Sequence, residues 1–275
     1  MSSKRKIINI LNHARVYFGI GVSLAILLSI LLLIIINGIQ SLSFEFVFSL
    51  SAPRGFSLMP MIINTFIIVI FALVIALPLG IGAAIYLNEY AKPNSNVVKV
   101  VRACIVTLSG IPSIIYGLFG FLFYVIALGW TWSLRAGIFT VSIMILPILI
   151  RSTEDALRAI PVSYRMGSYA LGAGKFHTIR KVVVPAAING ILASVILSIG
   201  RVVGETAALL LTAGTLLDMP QNLSSSGATL SVFMYLITVE HGDMQRAYAT
   251  ALVLMTFVLG LNLLANFIAR KLKKV

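Results

Sequence analysis

The sequence predicts an all-α membrane protein with six transmembrane helices. Three observations carry that expectation. Of the 275 residues, 59% are hydrophobic and 11% are charged, whereas a soluble domain carries roughly a quarter charged residues and has too little interior to hide so much apolar surface. The apolar residues gather into six runs near the length of about 20 residues that crosses a bilayer core. The basic residues, which give a formal charge of +13, stand in short clusters at the ends of those runs. A nucleic-acid partner would call for a basic patch or stripe instead.

The first run, Val16–Ile36, follows Lys4, Arg5 and Lys6. It is longer than the apolar region of a signal peptide and no small-residue cleavage site follows, so it reads as an uncleaved anchor. Residues 1–60 therefore form an anchor helix and a first outside loop with Pro53 and Gly55. Residues 61–270 form the main membrane domain. Its runs are Met61–Leu87, Ala103–Leu128, the shorter Ala136–Ile150, Ile188–Gly214 and Ala247–Ala269. The last outside loop, Thr215–Arg246, has an apolar middle from Ala228 to Val239. That middle is a short surface or re-entrant helix, or an ordinary connection.

Orientation follows the Lys/Arg bias. With the N-terminus inside, the inside segments hold Lys4, Arg5, Lys6 and Arg15, then Lys92, Lys99 and Arg102, then the basic residues of 151–189, then Arg270, Lys271, Lys273 and Lys274. The outside segments hold only Arg54, Arg135 and Arg246. Six spans with both termini cytoplasmic satisfy this asymmetry; five or seven spans would place a terminal basic cluster outside.

The long inside segment, 151–189, reads as a compact knob. Ser152, Thr153, Glu154 and Asp155 supply capping groups and acids for a helix start. Pro161 breaks that helix. A second short helix runs from Val162 to Ala170 and ends near Gly172 and Gly174. A third runs from Phe176 to Val184 and ends before Pro185. A docking surface and an amphipathic stretch on the lipid surface both fit this pattern.

Within the fifth run, Arg201 and Glu205 stand four residues apart on one helix face, and Ser194, Ser198 and Thr212 continue the stripe. Charges at bilayer depth face a cavity or the bundle interior. Arg201, Glu205, Ser198 and Thr206 are therefore the candidate substrate pathway, with Arg201 attracting an anion. The alternative is an internal ion pair that only locks packing. Gly200 and Gly204 form a G-x-x-x-G row suited to close helix contact. Pro78, Pro112 and Pro147 fall in or beside three spans, as hinges or as simple shaping of the bundle.

Enzymatic chemistry is not expected. The single cysteine, Cys104, and the isolated His13, His177 and His241 offer no metal-ligand spacing. Gly174-Lys175-Phe176 lacks the hydroxyl and the upstream glycine of a phosphate-binding loop. The chain carries no nucleotide site and no cofactor of its own, so active transport requires a partner.

A family resemblance sharpens this. The run from Tyr164 to Ala187 resembles the cytoplasmic signature loop of ABC importer permeases: Glu-Ala-Ala, three residues, Gly, nine residues, Ile, one residue, Leu-Pro. Gly172, Val182 and Val184-Pro185 fit it, while Met166, Gly167 and Ser168 stand at the Glu-Ala-Ala positions. Leu77-Pro-Leu-Gly through Asn88-Glu-Tyr-Ala91, Gly110-Ile-Pro-Ser-Ile-Ile-Tyr-Gly117 and Gly200-Arg-Val-Val-Gly-Glu-Thr-Ala-Ala-Leu-Leu209 resemble segments of phosphate-specific (Pst) permeases of the PstA type. The resemblance implies a type I ABC importer permease fold and a place in a bacterial or archaeal cytoplasmic membrane, in contact with lipid and not with nucleic acid. It implies inorganic phosphate as cargo, with molybdate or sulfate as the alternative oxyanion. It implies a PstC-like second permease, a PstB-like ATPase dimer that holds ATP and Mg, and a PstS-like phosphate-binding protein outside. Tyr164, Arg165, Ala170, Leu171, Gly172, Gly174, Lys175 and Pro185 are then the ATPase-coupling residues of a coupling helix.

Overall fold

The computed structural model describes residues 3–49, 57–92 and 95–272, with side chains among 11–49, 57–92 and 95–267. Pro53, Gly55, Lys273 and Lys274 lie outside the described residues. All regular structure among the described residues is helical. Segments Leu11–Ser41, Met59–Tyr90, Leu134–Arg158, Lys175–Val203 and Met244–Phe267 are each long and apolar enough to cross a membrane, and the bent pair of helices 96–109 and 113–127 makes a sixth when counted as one span.

Helix α1 (Ser3–Ser41) is longer than its apolar run and packs on the last helix, α12 (Met244–Leu272). Gly38 allows this, because a Cβ there would lie 2.9 Å from both the Leu252 Cβ and the Tyr248 carbonyl. The rest of α1 presents exposed apolar side chains, such as Phe18, Leu24 and Ile30, as a lipid-facing helix does. A short helix, α2 (Phe44–Phe48), is capped by the Ser43 hydroxyl and precedes α3 (Met59–Ile85). Helix α3 carries Pro78 in its interior and runs on through a π turn at Tyr86–Tyr90.

The third apolar run is not one straight span. It splits into α4 (Asn96–Ser109) and α5 (Ser113–Gly120), the latter extended by a π turn at Phe121–Ala127, and the two halves meet at 98°. Pro112 is the cause: it has no amide to donate, and it disfavours helical backbone at Ile111. Pro112 itself adopts φ −57° and ψ 140° and starts the new helix.

Helix α6 (Leu134–Arg158) starts on a Ser133 side-chain cap and runs two turns beyond its apolar run. Ser152, Thr153, Glu154 and Asp155 therefore sit inside this helix and do not start a new one. Local polarity is offset by partners: Glu154 holds Arg158 one turn on at 2.7 Å and Arg102 of α4 at 2.8 Å, and Thr153 meets the Ser194 hydroxyl at 3.3 Å. Pro161 ends the helix region as expected, and α7 (Val162–Ala170) follows.

Helix α8 (Lys175–Thr178) does not stop before Pro185. It passes through a π turn at Ile179–Val183 into α9 (Val184–Val203). The Val184 amide reaches back five residues to the Ile179 carbonyl. That wider turn shifts the bonding pattern next to the missing proline amide, and Pro185 falls in the first turn of α9, where a proline is tolerated. The fifth apolar run breaks after α9, at residues 204–206, and resumes as α10 (Ala207–Thr212).

Helices α3, α6 and α9 form the centre of the bundle, with α5 and α10 packed against α6. Small residues set the close approaches. A Cβ on Gly117 would lie 2.7 Å from the Ala208 Cα, one on Gly137 would lie 3.0 Å from the Ala213 Cβ, and one on Gly120 would overlap the Thr140 side chain. The Gly200 and Gly204 row makes no such contact among the described residues. Gly200 has open space around it and Gly204 meets only the Gly200 carbonyl at 3.4 Å. The apolar middle of the last loop forms α11 (Leu230–Val239), whose Leu230, Val232, Phe233 and Ile237 are buried, so it is an internal element and not a surface helix.

Candidate functional site: an interrupted-helix junction and a protruding knob

Two interrupted helices meet inside the bundle. Helix α5, just after the break at residues 110–112, packs on α10, just after the break at 204–206. Backbone freed at membrane depth must find partners inside the protein. Tyr116 of α5 donates its hydroxyl to the Leu108 carbonyl at the end of α4, at 2.9 Å. Ser231 of α11 donates to the Glu205 carbonyl at 2.6 Å and lies 3.0 Å from the Thr229 hydroxyl. The Asn64 amide of α3 donates to the Ala228 carbonyl at 3.0 Å, and Thr65 accepts from the Leu230 amide at 3.0 Å. The start of α11 is thereby fixed to both α3 and the break.

The two charged residues of the fifth run are separated by this break. Arg201 lies in the last turn of α9, where the helix dipole favours a cation. Glu205 lies beyond Gly204, outside the helix, and its Oε1 accepts from the Ala208 amide at 3.1 Å. The carboxylate therefore caps α10, where negative charge is favoured. Among the described residues, no carboxylate lies within 4.0 Å of the Arg201 guanidinium, and its buried Nε has no hydrogen-bond partner. The expected single face bearing an Arg201–Glu205 pair is thus absent: a helix break rotates the two apart. Ser198 is buried and gives its hydroxyl to the Ser194 carbonyl at 2.8 Å, while Thr206 starts α10 and is partly exposed. Thr212, also buried, bonds back to the Ala208 carbonyl.

The knob is α7, a turn and α8. Gly172 has φ +80°, its amide bonds the Tyr169 carbonyl at 2.9 Å, and the Ala173 amide bonds the Ser168 carbonyl at 3.2 Å. This is a Schellman ending, which needs a left-handed residue that glycine supplies at least cost. None of the α7 side chains is buried. Leu171 is 90% exposed, and Val162, Tyr164, Met166 and Phe176 are also exposed, so the knob carries an apolar surface that the described residues leave uncovered. Ala170, Gly174 and Pro185 are exposed as well. Arg165 and Lys175 behave differently, because both turn back onto the exit of α3. Arg165 forms an ion pair with Glu89 at 2.6 Å, and Lys175 Nζ stands 4.9 Å from the Tyr90 ring centre.

Sequence reasoning gave Glu89, Asn64 and Tyr116 no role of their own, read Glu154 as a helix-start acid and counted Arg102 only as a cytoplasmic basic residue. A signal existed for Glu89, a lone acid at the end of an apolar run. Its partner lies 76 residues away, so the pairing itself was invisible.

Residues 76–274 match the family described as the inner membrane component of binding-protein-dependent transport systems. The chain belongs to this family. It is 35% identical to the probable ABC transporter permease protein YqgI of Bacillus subtilis (strain 168), over 91% of each chain. It is 33% identical to the phosphate transport system permease protein PstA of Yersinia pestis, covering 98% of this chain and 91% of that one. Its fold is shared with a chain in the crystal structure of a bacterial alginate ABC transporter in complex with alginate pentasaccharide-bound periplasmic protein. That match has a TM-score of 0.71 and 16% identity, and it covers 99% of this chain and 98% of the other. The chain is therefore a multi-pass ABC importer permease with the type I fold.

Proposed function

We propose that this ABC importer permease carries inorganic phosphate inward, with Arg201 as the attracting charge and the α7–α8 knob docked on a partner ATPase. The observation that carries this reading is the Arg201 guanidinium, set beside the break that ends α9, with a buried Nε and, among the described residues, no carboxylate partner. An arginine presents a planar fork of donors that matches phosphate oxygens. Discontinuous helices near the membrane middle are a recurring way of forming transport sites. The PstA relative, similar over nearly the whole chain, supports phosphate among oxyanions. The ATPase would hold ATP and Mg, a second permease would complete the pathway, and a phosphate-binding protein would deliver the cargo. The exposed apolar side chains of the knob are the surface such an ATPase would cover.

The test is ATP-driven uptake by the chain assembled with its partner subunits and binding protein in vesicles. Phosphate is expected to be accumulated, with molybdate and sulfate competing weakly. Preferred accumulation of either of those, with phosphate excluded, would overturn the phosphate reading.

The Lys/Arg bias orients the knob and both termini to the cytoplasm. Tags at either terminus are accordingly expected to be reachable only from the cytoplasmic side. A C-terminal tag accessible from outside intact cells would refute that orientation.

A further inference from the structure

We infer that Glu89 is a positioning residue for energy coupling: its carboxylate makes α3 move together with the ATPase-docking knob. This rests on the reading of the knob as the ATPase dock. Glu89 lies in the π turn that ends α3, where the Ala91 amide reaches back five residues to the Tyr86 carbonyl. A π turn shifts the angular phase of the residues that follow, and such turns are frequent at functional positions.

The side chain of Glu89 is only 5% exposed and that of Arg165 15% exposed. Arg165 Nη2 meets Glu89 Oε1 at 2.6 Å, and Nε lies 3.2 Å and 3.3 Å from Oε1 and Oε2. Arg165 also donates through Nη1 to the Ile160 carbonyl and through Nη2 to the Leu157 carbonyl, at 3.0 Å and 3.1 Å. Asn88 adds a donor to the same Glu89 oxygen at 2.8 Å. The guanidinium therefore joins α3, the end of α6 and α7 at one point. Across the Gly172 turn, Lys175 lies over Tyr90, so adjacent residues of the α3 exit hold the knob on both sides. A buried, multiply bonded charge pair is costly to open by losing one partner.

The other end of α3 is fixed as well. Asn64 and Thr65 hold the backbone of Ala228 and Leu230, and the next residue, Ser231, holds the Glu205 carbonyl beside the helix break. The segment Met59–Tyr90 is thus a rod with the knob clamped at one end and the Arg201 junction attached at the other. Displacement of the knob by an ATPase would reach the junction through this rod. The exposed apolar face of α7 gives the ATPase something to grip; the Glu89–Arg165 clamp gives the grip something to move.

The experiment uses the assembled transporter in vesicles, with the oxyanion that the wild type accumulates, and measures anions taken up per ATP hydrolysed. Glu89→Gln keeps the side-chain shape and removes the charge. It is expected to leave the complex assembled and hydrolysing ATP, with uptake per ATP reduced about fivefold or more. Glu89→Asp keeps the charge and is expected to recover most of that ratio. An unchanged ratio in Glu89→Gln would overturn the inference, whether total uptake stayed normal or fell in step with the amount of complex. An error in the phosphate reading would show separately, as a different preferred anion in the wild type.

Discussion

Arg201→Gln is expected to abolish uptake while leaving the transporter assembled. A mid-membrane arginine costs at least ~2.5 kcal/mol on insertion scales, so its presence requires an offset. The dipole at the end of α9 supplies part of it, and among the described residues no carboxylate within ion-pair distance supplies the rest. Two charge-assisted hydrogen bonds to an anion, each worth about 1.5–3 kcal/mol, correspond to about a hundredfold or more in occupancy of the site. Arg201→Lys keeps the charge, loses the fork and is expected to transport at a reduced rate. The double change Arg201→Leu with Glu205→Leu separates the two roles. An arginine that served only to neutralise Glu205 would be dispensable once both charges were gone, because a buried pair can be replaced by apolar residues. Glu205 instead caps α10 through the Ala208 amide, so the double variant is expected to be as inactive as Arg201→Gln. Restored uptake in the double variant would refute an anion-binding role for Arg201.

Gly172→Val is expected to uncouple ATP hydrolysis from uptake or to block ATPase binding. The cause is backbone conformation and not crowding, since a Cβ at Gly172 would meet nothing within 4 Å. At φ +80° an L-residue pays about 1–2 kcal/mol, and a β-branched one pays more. That is about five- to thirtyfold in the fraction of chains with the turn intact. Relief of the strain would undo the Schellman bonds and displace Leu171 and Phe176, the exposed apolar side chains on either side of the turn. Gly172→Asn, which tolerates the left-handed region, is expected to remain close to normal. Binding and coupling measured side by side for Asn and Val check this, and normal coupling in the valine variant would show that the turn does not shape the dock.

Much of the fold was legible in the sequence because the bilayer imposes local rules. A span must be apolar over its own length and must satisfy its own backbone, so Met59–Tyr90 and Met244–Phe267 announce themselves within a few residues of their ends. The knob was legible for a similar reason. Pro161 must stop α6 and Gly172 must end α7, whatever surrounds them. The resemblance in 164–187 added the expectation of an ATPase dock.

What the sequence could not decide was whatever depended on a partner distant along the chain. Six apolar runs do not say which of them are interrupted: the 98° bend before α5 and the break after Val203 stand because other elements take up the freed backbone groups, Tyr116 at Leu108 and Ser231 at Glu205. Helical spacing put Arg201 and Glu205 on one face, and the break took them apart. The polar run of residues 152–155 reads as a helix start until Arg102, from another helix, joins Arg158 in neutralising Glu154 inside α6. Glu89 and Arg165 are unremarkable charges until folding brings them to 2.6 Å. The sequence by itself determined the solvent, the apolar runs and the Gly172 turn, because apolar length, proline and glycine act through local backbone physics. Only the tertiary structure decided where the charges go, because a buried charge takes its partner from whichever helix packs beside it.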